Sequence, residues 1–195
     1  INERLVADGR RRLVRTVGPN SGSTTTAFWV ETAAAAYDGV IDVYSWHSYN
    51  GADYDTNPPQ KYHGWLNLVG QGTRTLKAAG VDKPYWFDEW GACRPDETVR
   101  FTRDYGNYCA QAVAAFINAG CQTSLIWILL DQKYPGDTTN ADSFYRGVQR
   151  WGLVPWPHDD LPDPLTPRPA WYAFGLMSRV LGGGPGYRTL AAVCE

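Results

Sequence analysis

Asp88 and Glu89 stand side by side with aromatic residues on both flanks, in Tyr85-Trp86-Phe87-Asp88-Glu89-Trp90. Carboxyls in such company are partly desolvated, which is how an acid acquires a perturbed proton affinity. His47 and Tyr49 follow the apolar segment Ile41–Trp46, one residue apart. Trp127 lies inside the run 123–130, which Asp131 closes, and Asn20 ends the Gly18-Pro19-Asn20 cluster. Carboxylates beside aromatic platforms suit the cleavage of glycosidic bonds. The oxocarbenium-like transition state needs a nearby anion, and the flat face of a sugar packs on an indole. Each residue also has a plainer use. An acid at a strand end is often a solvated cap, a lone His is more often a hydrogen-bonded structural group, and a lone Trp is more often core.

Several other chemistries are excluded. The chain has no G-x-S-x-G, no phosphate-binding loop and no G-x-G-x-x-G. Lys plus Arg number 18 and Asp plus Glu 20, so the net charge of −2 offers no face for nucleic acid. The basic cluster Arg10-Arg11-Arg12 with Arg15 is too short to alter this. No apolar run reaches the roughly 18–20 residues of a membrane span. Three scattered His and four Cys without a C-x-x-C pair do not make a metal site, and no cofactor is implied. Cys93, Cys109, Cys121 and Cys194 allow three pairings, which sequence cannot separate. Their even number and the single Met favour an oxidising, extracellular setting. The first residue is Ile1, which reads as a removed leader or as a start within a longer protein.

The elements that must hold the rim residues alternate between strand and helix. The pattern predicts a helix over 2–12 and a strand over 13–17, stopped by Gly18-Pro19-Asn20. A helix over 24–36, packed through Phe28 and Trp29, leads to a strand over 41–46. A loop over 50–60 and a helix over 64–79 precede a strand over 83–89. The longest helical pattern, 97–119, leads to a strand over 123–130 whose apolar run predicts burial on both faces. A polar loop over 131–165 and a helix over 169–181 complete the chain. Strand, loop and helix recur four times, and right-handed crossovers make the strands parallel neighbours. In such sheets ligands sit at the C-terminal strand ends, where Asn20, His47, Tyr49, Asp88, Glu89, Trp127 and Asp131 all fall.

Trp86-Phe87-Asp88-Glu89-Trp90-Gly91 resembles the seventh-strand nucleophile motif of clan A glycoside hydrolases, the group of family 5 cellulases and family 39 xylosidases. Asp42 to Tyr49 is similar to the sixth-strand His-x-Tyr. Leu125 to Asp131 resembles the eighth strand with its sugar-stacking Trp. Gly152-Leu153-Val154 and Pro167-Arg168-Pro169-Ala170-Trp171-Tyr172 resemble the exit into the last helix, and Gly18-Pro19-Asn20 fits the end of the fifth strand. The resemblance implies a retaining glycosidase acting on β-linked glycans, with Glu89 as nucleophile and Tyr49 hydrogen-bonded to it. His47, Asn20, Trp90 and Trp127 would bind the sugar, with Trp127 as its floor.

The family's acid/base sits in an Asn-Glu dipeptide on the fourth strand, and the only Asn-Glu here is Asn2-Glu3. Only Arg4 to Arg12 separate it from the first strand, fewer residues than the ~10–12 of a crossover with its helix, so Glu3 reads as a helical residue. A full (β/α)8 barrel takes about 250 residues. The 195 residues therefore read as a single unit of α/β class, the C-terminal half of such a barrel with strands five to eight. Its outer strands would need covering, by a second copy or by a complementary half-barrel. Two other readings stay open: a non-catalytic carbohydrate-binding remnant, and an interaction half-domain whose aromatics are core.

Overall fold

A computed structural model describes residues 2–9, 15–22, 26–49, 58–91, 97–133, 148–149, 151–155 and 166–181. Four strands, β1 (Val17–Ser21), β2 (Val43–Ser48), β3 (Tyr85–Trp90) and β4 (Thr123–Ile126), form one parallel sheet in chain order. Helix α1 (Asn2–Ala7) precedes β1, and α2 (Thr26–Tyr37), α3 (Pro58–Ala78) and α4 (Arg103–Asn118) are the crossovers. Helix α5 (Pro169–Leu181) packs on α4 after a two-residue antiparallel ladder, β5 (Gln132–Lys133) with β6 (Val148–Gln149). The architecture is a partial (β/α)8 barrel. Among the described residues no helix is long and apolar enough to cross a membrane.

The core lies between the sheet and its helices. Tyr44 and Trp46 of β2 and Tyr85, Phe87 and Trp90 of β3 are buried against Trp65, Val69 and Leu76 of α3 and Tyr108, Ala112 and Phe116 of α4. Trp65 is the hub, edge-on to Phe87, Trp90 and Phe116 at 5.2–5.8 Å between ring centres. Each such ring removes roughly 150–250 Å² from water, about 4–6 kcal/mol before the entropy of ordering is subtracted. Helix α3 comes so close to β2 that a Cβ on Gly72 would fall 1.6 Å from Trp46 Cζ2. Trp46 in turn stacks on Tyr85 at 3.9 Å.

Local chemistry explains several boundaries, including some that differ from expectation. Helix α3 begins at Pro58, six residues before the expected start, because proline fits the first turn of a helix. The expected helix over 97–119 divides at Thr102. Glu97–Phe101 is a 3-10 turn, and Thr102 Oγ1 caps α4 by accepting the Tyr105 N–H at 3.2 Å. Strand β1 runs through Gly18-Pro19-Asn20 instead of stopping there. It is an edge strand, where the missing proline N–H costs no ladder bond. The run 123–130 leaves the ladder after Ile126, and Leu125 and Leu129 are more than half exposed, because β4 is the other edge. Phe28 and Trp29 are likewise exposed; Val30 and Ala33 do the packing of α2. The segment around 131–165 contains β5, β6 and a bridge from Leu130 to Val154. Residues 10–14, Cys93, His158 and Cys194 lie outside the described residues.

Candidate active site

The register between β2 and β3 determines which way the carboxyls face. Trp46 pairs with Phe87 and His47 with Glu89, so Asp88 is an extra residue on β3, a β-bulge. In a regular strand Glu89 would share the face of Phe87, under the helices. With the bulge, Phe87 and Trp90 both point into the helix layer and are fully buried, while Asp88 and Glu89 are only partly buried. The inserted residue re-aims Glu89 to the C-terminal rim.

Tyr49 stands one residue beyond β2, and its phenol O–H donates to Glu89 Oε1. Burial, then the hydrogen bond to Glu89 and that group's charge, push the Tyr49 phenol far above its usual range, with the Arg100 cation opposing. Tyr49 therefore keeps its proton and stays a donor at any working pH. Gly91 makes room for this pair: a Cβ there would lie 3.2 Å from the Trp127 carbonyl and 3.3 Å from Tyr49 Cε1. Trp127 is held beside β3 by its N–H, which donates to the Trp90 carbonyl at 2.7 Å. On the other flank, Asn20 takes a positive φ of 53°, a conformation that asparagine tolerates. Its Oδ1 lies 2.7 Å from His47 Nδ1, which fixes the imidazole and leaves Nε2 on the Gly22 side.

The rim thus gathers Asn20, His47, Tyr49, Glu89 and Trp127, and two expectations are corrected. Trp90 does not face a sugar. It is fully buried, its indole packed on Trp65, Phe116 and Phe174, because the bulge that turns Glu89 outward turns Trp90 inward. Asp131 is not a rim group either. It is 1% exposed and takes both of its Arg168 contacts at 2.7 Å, while its Oδ1 also accepts the Gly152 N–H at 2.7 Å. Glu3 sits on α1, ahead of β1 and not at a strand end, as the short crossover requires.

Other groups around the site carry weaker sequence signals. Arg100 is 4% exposed, lies 5.5 Å over the Trp151 ring and acts electrostatically on Tyr49. Nothing in its neighbourhood in sequence marks it. Ser45 is fully buried on β2 and influences Asp88. Among the described residues, no group of three or more His, Cys, Asp or Glu is placed to hold a metal ion. Cys109 and Cys121 are free thiols, not bridged to each other, and burial pushes the Cys109 thiol far above its usual range and the Cys121 thiol up to about 12. A groove of about 360 Å³ runs between β4 and α5, lined by Leu125, Ile126, Leu129, Leu153, Trp171 and Phe174. No ionisable residue lines it, so it belongs to the open edge and not to the chemistry.

No family model matches the chain, and no curated protein is found to match it. Among solved structures it is similar to the GH51 arabinofuranosidase from Xanthomonas axonopodis pv. citri, with a TM-score of 0.54 at 12% identity. The match covers 91% of this chain and 39% of that one, so the chain spans about two-fifths of the length of that enzyme. At this identity the likeness is one of fold alone, a partial (β/α)8 barrel.

Proposed function

We propose that the chain carries the nucleophile of a retaining glycoside hydrolase that cleaves β-linked glycans. The observation that supports this reading is the hydrogen bond from Tyr49 to Glu89 across two neighbouring parallel strand ends. A permanent phenol donor orients one carboxylate oxygen and leaves the other to attack. In the first step that oxygen forms a bond to the anomeric carbon as the bond to the leaving oxygen breaks, and the leaving oxygen takes a proton from an acid. Trp127 would floor the sugar, and His47 and Asn20 would meet its hydroxyls. In the second step water attacks the anomeric carbon as its bond to Glu89 breaks, which restores the carboxylate, and the water's proton goes to the residue that gave one up in the first step.

The acid/base belongs, in this reading, to a complementary half-barrel. β1 and β4 each have one unpaired edge, and Leu125, Leu129, Trp171, Tyr172 and Leu176 are exposed along β4 and α5. A covering half would bury these side chains and complete the rim. Activated 2-deoxy-2-fluoro glycosides test the nucleophile directly, because their leaving groups need no acid. The expected result is a covalent adduct on Glu89, located by peptide mass spectrometry and absent in Glu89→Gln.

A second reading, a carbohydrate-binding surface without turnover, is favoured by one feature. Among the described residues, the only other carboxyl at the rim is Asp88, adjacent to Glu89 on the same strand. Glycan binding in calorimetry with no adduct would select this reading.

A further inference from the structure

Asn20 is the extra residue of β1. Pro19 pairs with Ser45 and Ser21 with Trp46, so the β1–β2 register skips Asn20, a second one-residue bulge at the rim. His47 therefore follows a stretch of β2 with a bulge on either side, at Asn20 and at Asp88. Asn20 also takes the left-handed φ of 53°, which most side chains avoid and asparagine tolerates. This local backbone brings its side-chain oxygen Oδ1 to 2.7 Å from His47 Nδ1, across 27 residues of sequence. A side-chain amide oxygen only accepts hydrogen bonds, so the ring nitrogen that faces it carries the proton. With the proton on Nε2 instead, two lone pairs would meet at 2.7 Å.

We propose that Asn20 is a positioning residue that holds His47 as the Nδ1–H tautomer, so that Nε2 presents a lone pair to a sugar hydroxyl. The inference rests on the reading of this rim as a glycan site. A neutral imidazole has one N–H, and the hydrogen bond made by one nitrogen decides the role of the other. Nε2 lies on the Gly22 side, where an added Cβ would stand 3.6 Å away. The chain thus passes close to that nitrogen without placing a side chain over it. An acceptor at this point selects a ligand that donates there, which a free hydroxyl does and an ether oxygen does not. His47 pairs with Glu89 in the β2–β3 register, so the selection acts beside the reacting carboxylate. Asn20 then serves the sugar mainly through the imidazole, its Oδ1 being engaged by Nδ1.

The test uses the full chain. Long-range proton–nitrogen NMR of the imidazole at about pH 9, above an ordinary histidine's titration, reads which nitrogen holds the proton. His47→Gln assigns the signals. The parent should show Nδ1–H. Asn20→Gly keeps the left-handed backbone and removes the amide, so the proton should move onto Nε2. Asn20→Asp keeps an oxygen acceptor in the same place and should restore Nδ1–H. Cooperative melts verify that both variants fold. A parent with its proton on Nε2, or a tautomer unmoved by Asn20→Gly, would overturn the proposal. Labelling of Glu89 by an activated 2-fluoro glycoside reads the consequence for the sugar. The concentration giving half-maximal labelling should rise about 2- to 10-fold in Asn20→Gly, as for one lost hydrogen bond, and recover in Asn20→Asp. A tautomer that moves with no change in that concentration also overturns the proposal. The expected tautomers in a parent that takes no label would support the role of Asn20 and overturn the nucleophile reading alone.

Discussion

Replacing Asp131 by alanine tests the claim that this carboxylate is a structural anchor. Asp131 is 1% exposed and Arg168 4% exposed. Removing the carboxylate deletes two charge-assisted contacts of 2.7 Å and the acceptor of the Gly152 N–H. The guanidinium stays buried, with Phe101 4.4 Å beneath it and the Gly152 carbonyl still accepting from it. Stranding a buried charge in this way costs about 3–5 kcal/mol. Total stability for a domain is about 5–15 kcal/mol, so this is a large fraction. At this size, about 2–4 °C of melting temperature corresponds to 1 kcal/mol, and Asp131→Ala should melt roughly 10 °C lower.

Removing both charges separates the pair from its surroundings. A paired Asp131→Leu, Arg168→Met replacement leaves no stranded charge, and such exchanges are often neutral or better. The Gly152 N–H still loses its acceptor, at about 1–3 kcal/mol. The double variant should therefore be more stable than Asp131→Ala, and far more stable than the sum of the single changes. Urea unfolding of the parent, Asp131→Ala, Asp131→Leu, Arg168→Met and the double variant, with slopes compared, measures this. A cost below about 1 kcal/mol for Asp131→Ala, or strict additivity, would refute the anchor and return Asp131 to the rim.

Three further outcomes follow from the geometry. Gly72→Ala drives a methyl into Trp46, which Tyr85 backs from the other side, and should cost about 3 kcal/mol or more in urea unfolding. Tyr49→Phe removes one donor to a carboxylate; its melt should change little, while labelling of Glu89 by a 2-fluoro glycoside slows about 10- to 100-fold. Asp88→Asn should raise stability at neutral pH and not below pH 3.5. The folded state holds the Asp88 proton more tightly than the unfolded chain, so stability falls as pH rises from the ordinary carboxylate range through the raised midpoint. Melting temperatures of parent and variant across pH 3–8 measure the difference.

The order of the elements and the rim residues were legible because both follow from local patterns. Strand segments ending in Asn20, His47 and Glu89, with amphipathic helices between them, force the parallel order and its C-terminal rim. The direction of Trp90 was not legible. It depends on the bulge at Asp88, and nothing in Trp86-Phe87-Asp88-Glu89-Trp90 distinguishes a strand of strict alternation from one with an inserted residue. Asp131 was misplaced for a related reason. Its partner Arg168 is 37 residues away, beyond any local pattern, and burial of the pair converts a rim acid into a structural one. Phe28 and Trp29 show the limit of composition: α2 is apolar on most sides, so side-chain type does not say which side meets the sheet.

Six of the chain's nine tryptophans separate by layer among the described residues, and that division explains how the rim can be ordered in a partial barrel. Trp46, Trp65 and Trp90 are all fully buried between sheet and helices. Their packing fixes β2 and β3 from behind, on the side opposite Glu89. The rim geometry therefore depends on the helix layer and not on closure of the barrel. Trp29 and Trp171 lie at the two open flanks, 46% and 40% exposed, where covering would bury them. Trp127 alone follows a strand end next to Gly91 and within two residues' reach of Glu89 through the Trp90 carbonyl. On the proposed reading, pairing with a covering half should thus bury the flanks and supply the acid while leaving the Tyr49–Glu89 contact unchanged. Titrating the chain with a complementary half-barrel should quench solvent-exposed Trp signals without altering the carboxyl resonance of Glu89. A shift of that resonance on pairing would show that closure, not the helix layer, sets the site.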